Sequence, residues 1–594
     1  MKNGMLTAVK LLEFVSSRRP GPLRFARTVA GLSTLAVLGV FGSIGYNGAS
    51  SAYWLMLIAI LPLFIWVLLR RAVPRAVARV TARKRWKARG SAVERVRYTR
   101  FEELRSSYVE STRTKDEGFV DDRTWADLGL DGILKRIDIC LTIAGRNELA
   151  RTLRHALPSE STLTDRSRLM DLFSRDKAER LRVAGILANV GEESDADPAT
   201  LLWGAGARPD ALYPLFISMC LFSIASIITA VAFNPTLGIF GIIVAFFSNM
   251  WIYYRKARHL SVHIPALRIL SRMIEASGTL EWFGLERTRQ QTSGARRAYG
   301  WLLTGAPSPT PSLSGDIMEM LFLYVKIYFQ IDLIAYNRIA RTIGRNLDAY
   351  RTLYRGVGTV DALFALASYR ARRRQSCEAE FDPGSLEIHL ERGYHPLVPK
   401  AVPNSMDFSR PGAIVTGTNM AGKSTFLRMV GINALFAQVA GYAFAAAYRG
   451  PRFRIMSSIE RHDDLAEGKS FYYDEAERIY TMIEEAKGEE PVLLLIDELL
   501  SGTNSLERES ASVAILHYLA DRNALTIAAT HDIAIARGVA DRYALRYFTD
   551  SADENGLTFD YLIHDGVVQT RNAIKLLRLI GYPEDVIENA LRGS

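Results

Sequence analysis

The chain has 594 residues, of which 23% are charged and 48% hydrophobic, values that suit several folded domains and exclude a disordered chain. Its formal net charge of +11 points at first to a polyanion, but residues 70–100 hold twelve Lys and Arg against one acid, Glu94, and the rest of the chain is neutral in sum. Three cysteines (Cys140, Cys220 and Cys377) lie far apart without a C-x-x-C, which argues against a disulfide framework or a thiolate zinc site.

In chain order, residues 28–69 contain no Lys, Arg, Asp, Glu or His and split at Asn47-Gly48-Ala49-Ser50-Ser51. Each half, 28–46 and 52–69, approaches the ~20 apolar residues that a bilayer crossing needs. A cleaved signal peptide at Ala49-Ser50-Ser51 is the weaker reading, because another apolar run follows at once. The basic segment 70–100 places Val73, Val77 and Val80 at helical spacing among arginines. Beside a span this suits anionic lipid head groups; a solvated topology determinant and a nucleic-acid contact stay open.

Residues 101–205 read as a first helical part. Residues 211–254 form a second uncharged run, broken at Asn234-Pro235, with spans near 213–233 and 236–254. Tyr213, Trp251, Tyr253 and Tyr254 gather at one end, as an interfacial aromatic belt would. The alternative is two buried hairpins in a large soluble core, disfavoured because core helices rarely run this far without a charge. Arg18, Arg19, Arg24, Arg27, the 70–100 cluster, Arg255, Lys256 and Arg258 flank the spans, while the turns carry no charge. Both hairpins are therefore expected to enter and leave on the cytoplasmic side of an inner (plasma) membrane. Residues 259–375 read as a second helical part, interrupted near Pro307, Pro309 and Pro311.

The strongest motif is Gly417-x-x-x-x-Gly422-Lys423-Ser424, in TGTNMAGKST, after the apolar strand 413–415 and before a helix expected over 423–440. Glycines let backbone N–H groups converge on phosphate oxygens, Lys423 supplies a point charge, and Ser424 can ligate Mg²⁺. Pro491 precedes the buried strand 492–496, which ends in Asp497-Glu498, and a third strand, 525–529, leads to Thr530-His531-Asp532. An acid at a strand end can hold the Mg²⁺ shell, and the next can orient or deprotonate the attacking water. His531 can sense the terminal phosphate by a hydrogen bond; taken alone, it would be read as a structural cap.

The motifs TGTNMAGKST, DDLAEGKSF, LLLIDELLSGTNS and AATHD, in this order, resemble the MutS family of ATPases. Gly393-Tyr394-His395-Pro396-Leu397-Val398 and the segment 557–590, with its Gly566 turn and Gly581-Tyr582-Pro583, are similar to the same family. The resemblance covers about residues 380–590. Upstream, residues 122–157 resemble the start of the family's helical core.

The uncharged runs and the resemblance together suggest a multi-domain protein: membrane hairpins (1–100 and 206–258) read from the runs, and, as the resemblance implies, an all-α core and lever (101–205 and 259–375) and an α/β P-loop ATPase domain of ABC type (376–594). The resemblance also implies ATP and Mg²⁺ as cofactors and a homodimer with ATP held between subunits. Gly417, Asn419, Gly422, Lys423, Ser424 and Thr425 would contact nucleotide, and Ser470, with Gly468 beside it, would reach the partner's ATP. Ser424 and Asp497 would hold Mg²⁺, Glu498, His531 and Lys423 would be catalytic, and Gly502-Thr503-Asn504 would meet the partner.

Several positions depart from the family pattern. Thr418 and Ala421 replace its Pro and Gly, Leu506-Glu507 replaces an Asp-Gly, and no aromatic matches its adenine-stacking position. A mismatch-reading domain has no room ahead of the helical core, and Phe101-Glu102-Glu103 fits the family's F-x-E wedge by letters only. DNA binding thus stays open. A transporter half is the alternative, disfavoured because no L-S-G-G-Q-like signature precedes Val492 and no ionisable residue lies inside a span. A catalytically dead scaffold is disfavoured by Lys423, Asp497 and Glu498, and no nuclease motif is evident.

Overall fold

The computed structural model describes residues 118–191, 197–204, 209–260, 263–280, 317–418, 421–459, 471–501, 504–553, 556–567, 582–583 and 585–587, with isolated positions at 33, 80, 86, 108 and 109. Apart from those isolated positions, the first expected hairpin and the basic segment lie outside the described residues, as do Asn419, Gly468, Ser470, Gly502 and Thr503.

Two compact units emerge. One comprises Met1–Ser111, Ile139–Leu149 and Leu172–Ala365; the other comprises Thr112–Asp138, Ala150–Asp171 and Leu366–Ser594. Among the described residues the chain begins with helices α1 (Asp122–Asp127), α2 (Leu130–Ile137), α3 (Ile143–Arg154), α4 (Glu160–Arg175), α5 (Lys177–Val190) and α6 (Pro198–Leu202). There follow α7 (Tyr213–Ala232), α8 (Pro235–Leu260), α9 (His263–Ser277), α10 (Ile317–Tyr328), α11 (Ile331–Arg345) and α12 (Leu347–Ala371). The helical character read from sequence holds throughout this region.

In the first unit, buried polar groups tie the helices together. Asp361 on α12 is fully buried and accepts from the Leu141 and Thr142 amides and the Thr142 hydroxyl at the start of α3. A Cβ on Gly145 would fall 2.2 Å from the same carboxylate, so only glycine lets these helices approach so closely. Asp197 caps α6 by accepting from the Ala199 amide, and it also accepts from Asn147 and Tyr354.

Helices α7 and α8 are each long and apolar enough to cross a membrane. They pack on one another at small residues, for a Cβ on Gly238 would overlap the Ala230 backbone. Their outward surface is apolar: Leu221, Val231, Phe233, Phe240, Phe247 and Trp251 are all exposed.

The second unit is built on two sheets. Strands β1 (Cys377–Phe381), β2 (Glu387–Gly393), β3 (Asn404–Ser409), β5 (Tyr442–Ala443) and β6 (Ala447–Gly450) form one, in the order β3-β2-β6-β1-β5. The other takes β4 (Gly412–Thr416), β7 (Arg454–Ser458), β8 (Val492–Asp497), β9 (Ala524–Thr530), β10 (Ala544–Asp553) and β11 (Gly556–Asp565), in the order β11-β10-β4-β9-β8-β7. All its neighbours pair parallel except the antiparallel edge β10–β11. Strands β4 and β9 are buried along their whole length, which explains their mostly apolar sequences, with Thr526 and Thr530 as the buried polar residues of β9. Helix α13 (Lys423–Ala440) follows β4, α14 (Phe471–Glu485) precedes β8, and α15 (Ser505–Ala520) and α16 (Ile533–Gly538) flank β9. The C-terminal α/β character expected from the sequence is present. The five-stranded sheet was not foreseen, because its strands are short and lack an apolar run comparable to 492–496.

Candidate active site

The site sits where three parallel strands of the six-stranded sheet end. β4 delivers residues 417–422, β8 delivers Asp497-Glu498, and β9 delivers Thr530-His531. The register places Asp497 opposite Ala529 and Thr416 opposite Thr530, so the strand ends are level. Ligand chemistry on a parallel sheet gathers at this edge, because loops leave there and helices start there.

Gly417 has φ +143°, and a Cβ there would lie 2.8 Å from the Phe548 carbonyl. Gly422 has φ +110° and begins α13 with no side chain capping the helix. The amides of the first turn point out of the helix start, where an anionic acceptor is favoured. Lys423 is buried and donates from Nζ to the Gly417 carbonyl at 2.7 Å, with Glu498 Oε1 4.0 Å away. Burial pushes its ammonium below the ordinary range, and the carboxylates of Glu498 and Asp497 oppose that shift. Ser424 donates its hydroxyl to Asp497 Oδ2, while Thr425 is exposed in the same turn. Burial raises the Asp497 carboxyl; the Ser424 hydroxyl and the Lys423 charge pull it back.

Glu498 adopts φ +57°, a left-handed conformation costly for a side chain with Cβ. Its amide is held by the Ala529 carbonyl at 2.9 Å, and Oε1 accepts from the His531 amide at 3.2 Å and pairs with His531 Nδ1 at 2.7 Å. Six of the residues singled out from sequence therefore meet in one place: Gly417, Gly422, Lys423, Ser424, Asp497 and Glu498, with His531 beside Glu498. The polar oxygens of Ser424 and Asp497 are a hard donor set suited to Mg²⁺.

Comparison with known proteins points to one family over this part of the chain. The model of MutS domain V matches residues 413–593. The chain is 30% identical over 250 residues to the DNA mismatch repair protein MutS of Thermus thermophilus, a stretch covering 41% of this chain and 30% of the relative. It is 30% identical over 249 residues to the protein of that name from Natronomonas pharaonis, covering 40% of this chain and 28% of the relative. It is 27% identical over 290 residues to the Streptococcus pneumoniae protein of that name, covering 47% and 33%. Residues 413–593 match MutS domain V, and it is over this C-terminal part that the chain is similar to MutS proteins. The chain spans about a third of the length of these curated MutS relatives.

One residue of this MutS-type unit escaped the sequence reading. Tyr561 on β11 has φ +56°, is half exposed, and places Cδ1 3.4 Å from where a Cβ on Gly422 would stand. Asn404 fixes it there, donating to the Tyr561 carbonyl at 2.9 Å and accepting from the Ile563 amide at 2.8 Å. The signal in the sequence was weak, because an aromatic in an alternating edge strand is ordinary and the pairing spans most of the unit.

Proposed function

We propose that this protein is a membrane-anchored MutS-type ATPase that hydrolyses ATP with Mg²⁺ in a site completed by a second copy of the chain. The observation that carries the reading is the meeting of Lys423, Ser424, Asp497, Glu498 and His531 at the edge beside the glycine loop.

Hydrolysis adds water to the terminal phosphorus and releases ADP and phosphate. Lys423 and the amides at the start of α13 would bind the phosphate oxygens. Ser424 and Asp497 would hold Mg²⁺, which would supply Lewis-acid stabilisation of developing negative charge. Glu498 would orient the attacking water and receive its proton, and His531, paired to Glu498, would report on the phosphate. His531 engages Oε1, so in this role the second oxygen of Glu498 would take the water, and the left-handed backbone would keep its carboxylate at the strand end. Tyr561, beside Gly422 at the end of the loop, is positioned to stack on the base. Asn419 and Thr425 would add nucleotide contacts, and Ser470 would reach the partner subunit's ATP.

Membrane anchoring rests on the outward apolar surface of α7 and α8 and on the uncharged run 28–69. The cytoplasmic face of an inner membrane follows from the Lys and Arg that flank the spans, and residues 70–100 would meet anionic head groups. The relatives' name suggests DNA binding, and one measurement covers both activities. It is the ATPase rate of full-length protein in detergent, with and without homoduplex, mismatched and branched DNA. Lys423→Ala is expected to abolish turnover, and Glu498→Gln to bind ATP and accumulate dimers. Turnover unchanged in Lys423→Ala would remove the assignment. DNA stimulation that weakens with salt would add a nucleic-acid role, and indifference to every DNA would favour a remodelling or transport machine.

A further inference from the structure

We propose that Glu475, in the first turn of α14, is a positioning residue for Glu498: it holds the turn that aims that carboxylate, and α1 holds α14 in place. This rests on the reading of Glu498 as the residue that orients the attacking water.

The turn after β8 is strained and needs support. Glu498 at φ +57° and Leu500 at φ +52° are both left-handed, a costly state for residues with a Cβ that persists only where the surroundings over-determine it. On one side the Ala529 carbonyl takes the Glu498 amide at 2.9 Å, and the side chains of Leu499 and Leu500 are buried. On the other side the next residue, Ser501, gives both its donors to one carboxylate. Its amide donates to Glu475 Oε1 at 3.2 Å and its hydroxyl to Oε2 at 3.4 Å. Glu475 is only 5% exposed. A carboxylate withdrawn this far from water is costly unless donors meet it. An apolar side chain would fill the same space at less cost; what the carboxylate adds is a fixed direction for the chain that leaves Glu498.

Glu475 can position another residue only if α14 is itself fixed, and its neighbours on the helix do that. Asp474 and Arg478, four residues apart, share one face of α14, and Glu475 is turned about 100° from Asp474. Arg123 of α1 pairs with Asp474 at 2.7 Å. Arg478 is buried and sets its fork on the Asp121 carboxylate at 3.1 and 3.3 Å. It also donates to the Thr124 hydroxyl at 2.8 Å and the Ser457 carbonyl at 2.9 Å. Asp121 is the residue that caps α1, accepting from the Thr124 amide at 2.8 Å. A planar guanidinium on a carboxylate fixes orientation as well as distance. The links from α1 to α14, Ser501 and Glu498 all lie within the second unit. A shift of α14 against α1 would thus reach the Glu498 carboxylate through the two bonds to Ser501.

The test uses full-length protein in detergent and reads kcat and KM for ATP. Glu475→Ala is expected to lower kcat about tenfold or more with KM within about threefold, because a misaimed carboxylate loses rate and not binding. Glu475→Asp, one methylene short, should lose as much while keeping the charge, and it carries the test if the alanine variant does not fold. Glu475→Gln keeps an acceptor for the Ser501 amide and should bring kcat to within about threefold of wild type. Tagged heterodimers then locate the effect. Opposite a Lys423→Ala subunit, a Glu475→Ala subunit carries the live site and should show the low rate. With both changes in one subunit opposite wild type, the rate should equal that of wild type paired with Lys423→Ala. The reversed pattern would mean that Glu475 acts through Ser470 on the partner's ATP, and would overturn the proposal. So would a wild-type kcat in Glu475→Ala or Glu475→Asp, or a glutamine variant no better than alanine. If wild type itself shows no turnover that Lys423→Ala removes, the ATPase reading falls and takes this proposal with it.

Discussion

Helices α7 and α13 have similar lengths and similarly few charges, yet they meet opposite surroundings. Almost every side chain of α13 is buried. Its polar residues are engaged inside the protein: Asn433 donates to the Met429 carbonyl and accepts from the Phe444 amide, and Gln438 bridges the Phe453 amide and carbonyl. Gly431 admits Leu495 and Leu128, each within 2.7 Å of where its Cβ would stand. Helix α7 buries few residues and turns Leu221, Phe222, Ile228 and Val231 outward. Its hydroxyls are spent on its own backbone: Ser218, Ser226 and Thr229 donate to Pro214, Phe222 and Ala225. Apolar composition alone thus does not distinguish a core helix from a span. The difference lies in where polar groups find partners: in α13 they reach across to other elements, whereas in α7 most hydroxyls bond the preceding turn of their own helix.

The largest effect should come from charging each helix's surroundings. In lipid vesicles, Leu221→Arg should cost about 3 kcal/mol, whereas a water-facing leucine would accept arginine within about 0.5 kcal/mol. Thermal unfolding of reconstituted protein reads the difference. The counterpart in α13, Gly431→Leu, should cost about 1–3 kcal/mol by overpacking against Leu495 and Leu128. A neutral Gly431→Leu together with a neutral Leu221→Arg would erase the contrast.

A comparable effect is set by pH in the second unit. Burial, with the charges of Arg428 and Arg136 nearby, pushes the His395 imidazole down to about 4. The unfolded chain takes up a proton near 6.5 and the folded one does not until about 4. The stability this group contributes is therefore intact above pH 6.5 and is lost as pH falls towards 4, by up to about 3 kcal/mol. Unfolding of wild type and His395→Asn across that window should show the slope shrink in the variant; equal slopes would place the cause elsewhere. The smallest effect concerns the nucleotide. Tyr561→Ala should raise the KM for ATP by up to about tenfold with kcat little changed, and Tyr561→Phe should restore it. A change in kcat alone would contradict a stacking role.

Much of this was legible from residues. The three strands that carry the candidate site were expected at 413–415, 492–496 and 525–529 and occur within a residue or two of those bounds, because buried parallel strands are written as mostly apolar runs. The convergence of Lys423, Ser424, Asp497 and Glu498 follows from motif order. What was not legible depends on long-range pairing. Tyr561 reaches Gly422 only because β10 pairs with β4 and carries β11 with it. The Glu475–Ser501 contact joins residues 26 apart, and no local pattern encodes it. The left-handed Glu498 is likewise invisible in the letters Asp-Glu.

The central claim is that the catalytic unit is held at a lipid surface by its own chain. It is tested most directly by floating full-length protein with vesicles after alkaline carbonate extraction and assaying Mg²⁺-dependent ATP hydrolysis in the lipid fraction. The account predicts that the activity floats with the lipid and disappears in Lys423→Ala. Activity left in the aqueous fraction, or activity in the lipid fraction that survives Lys423→Ala, would contradict it.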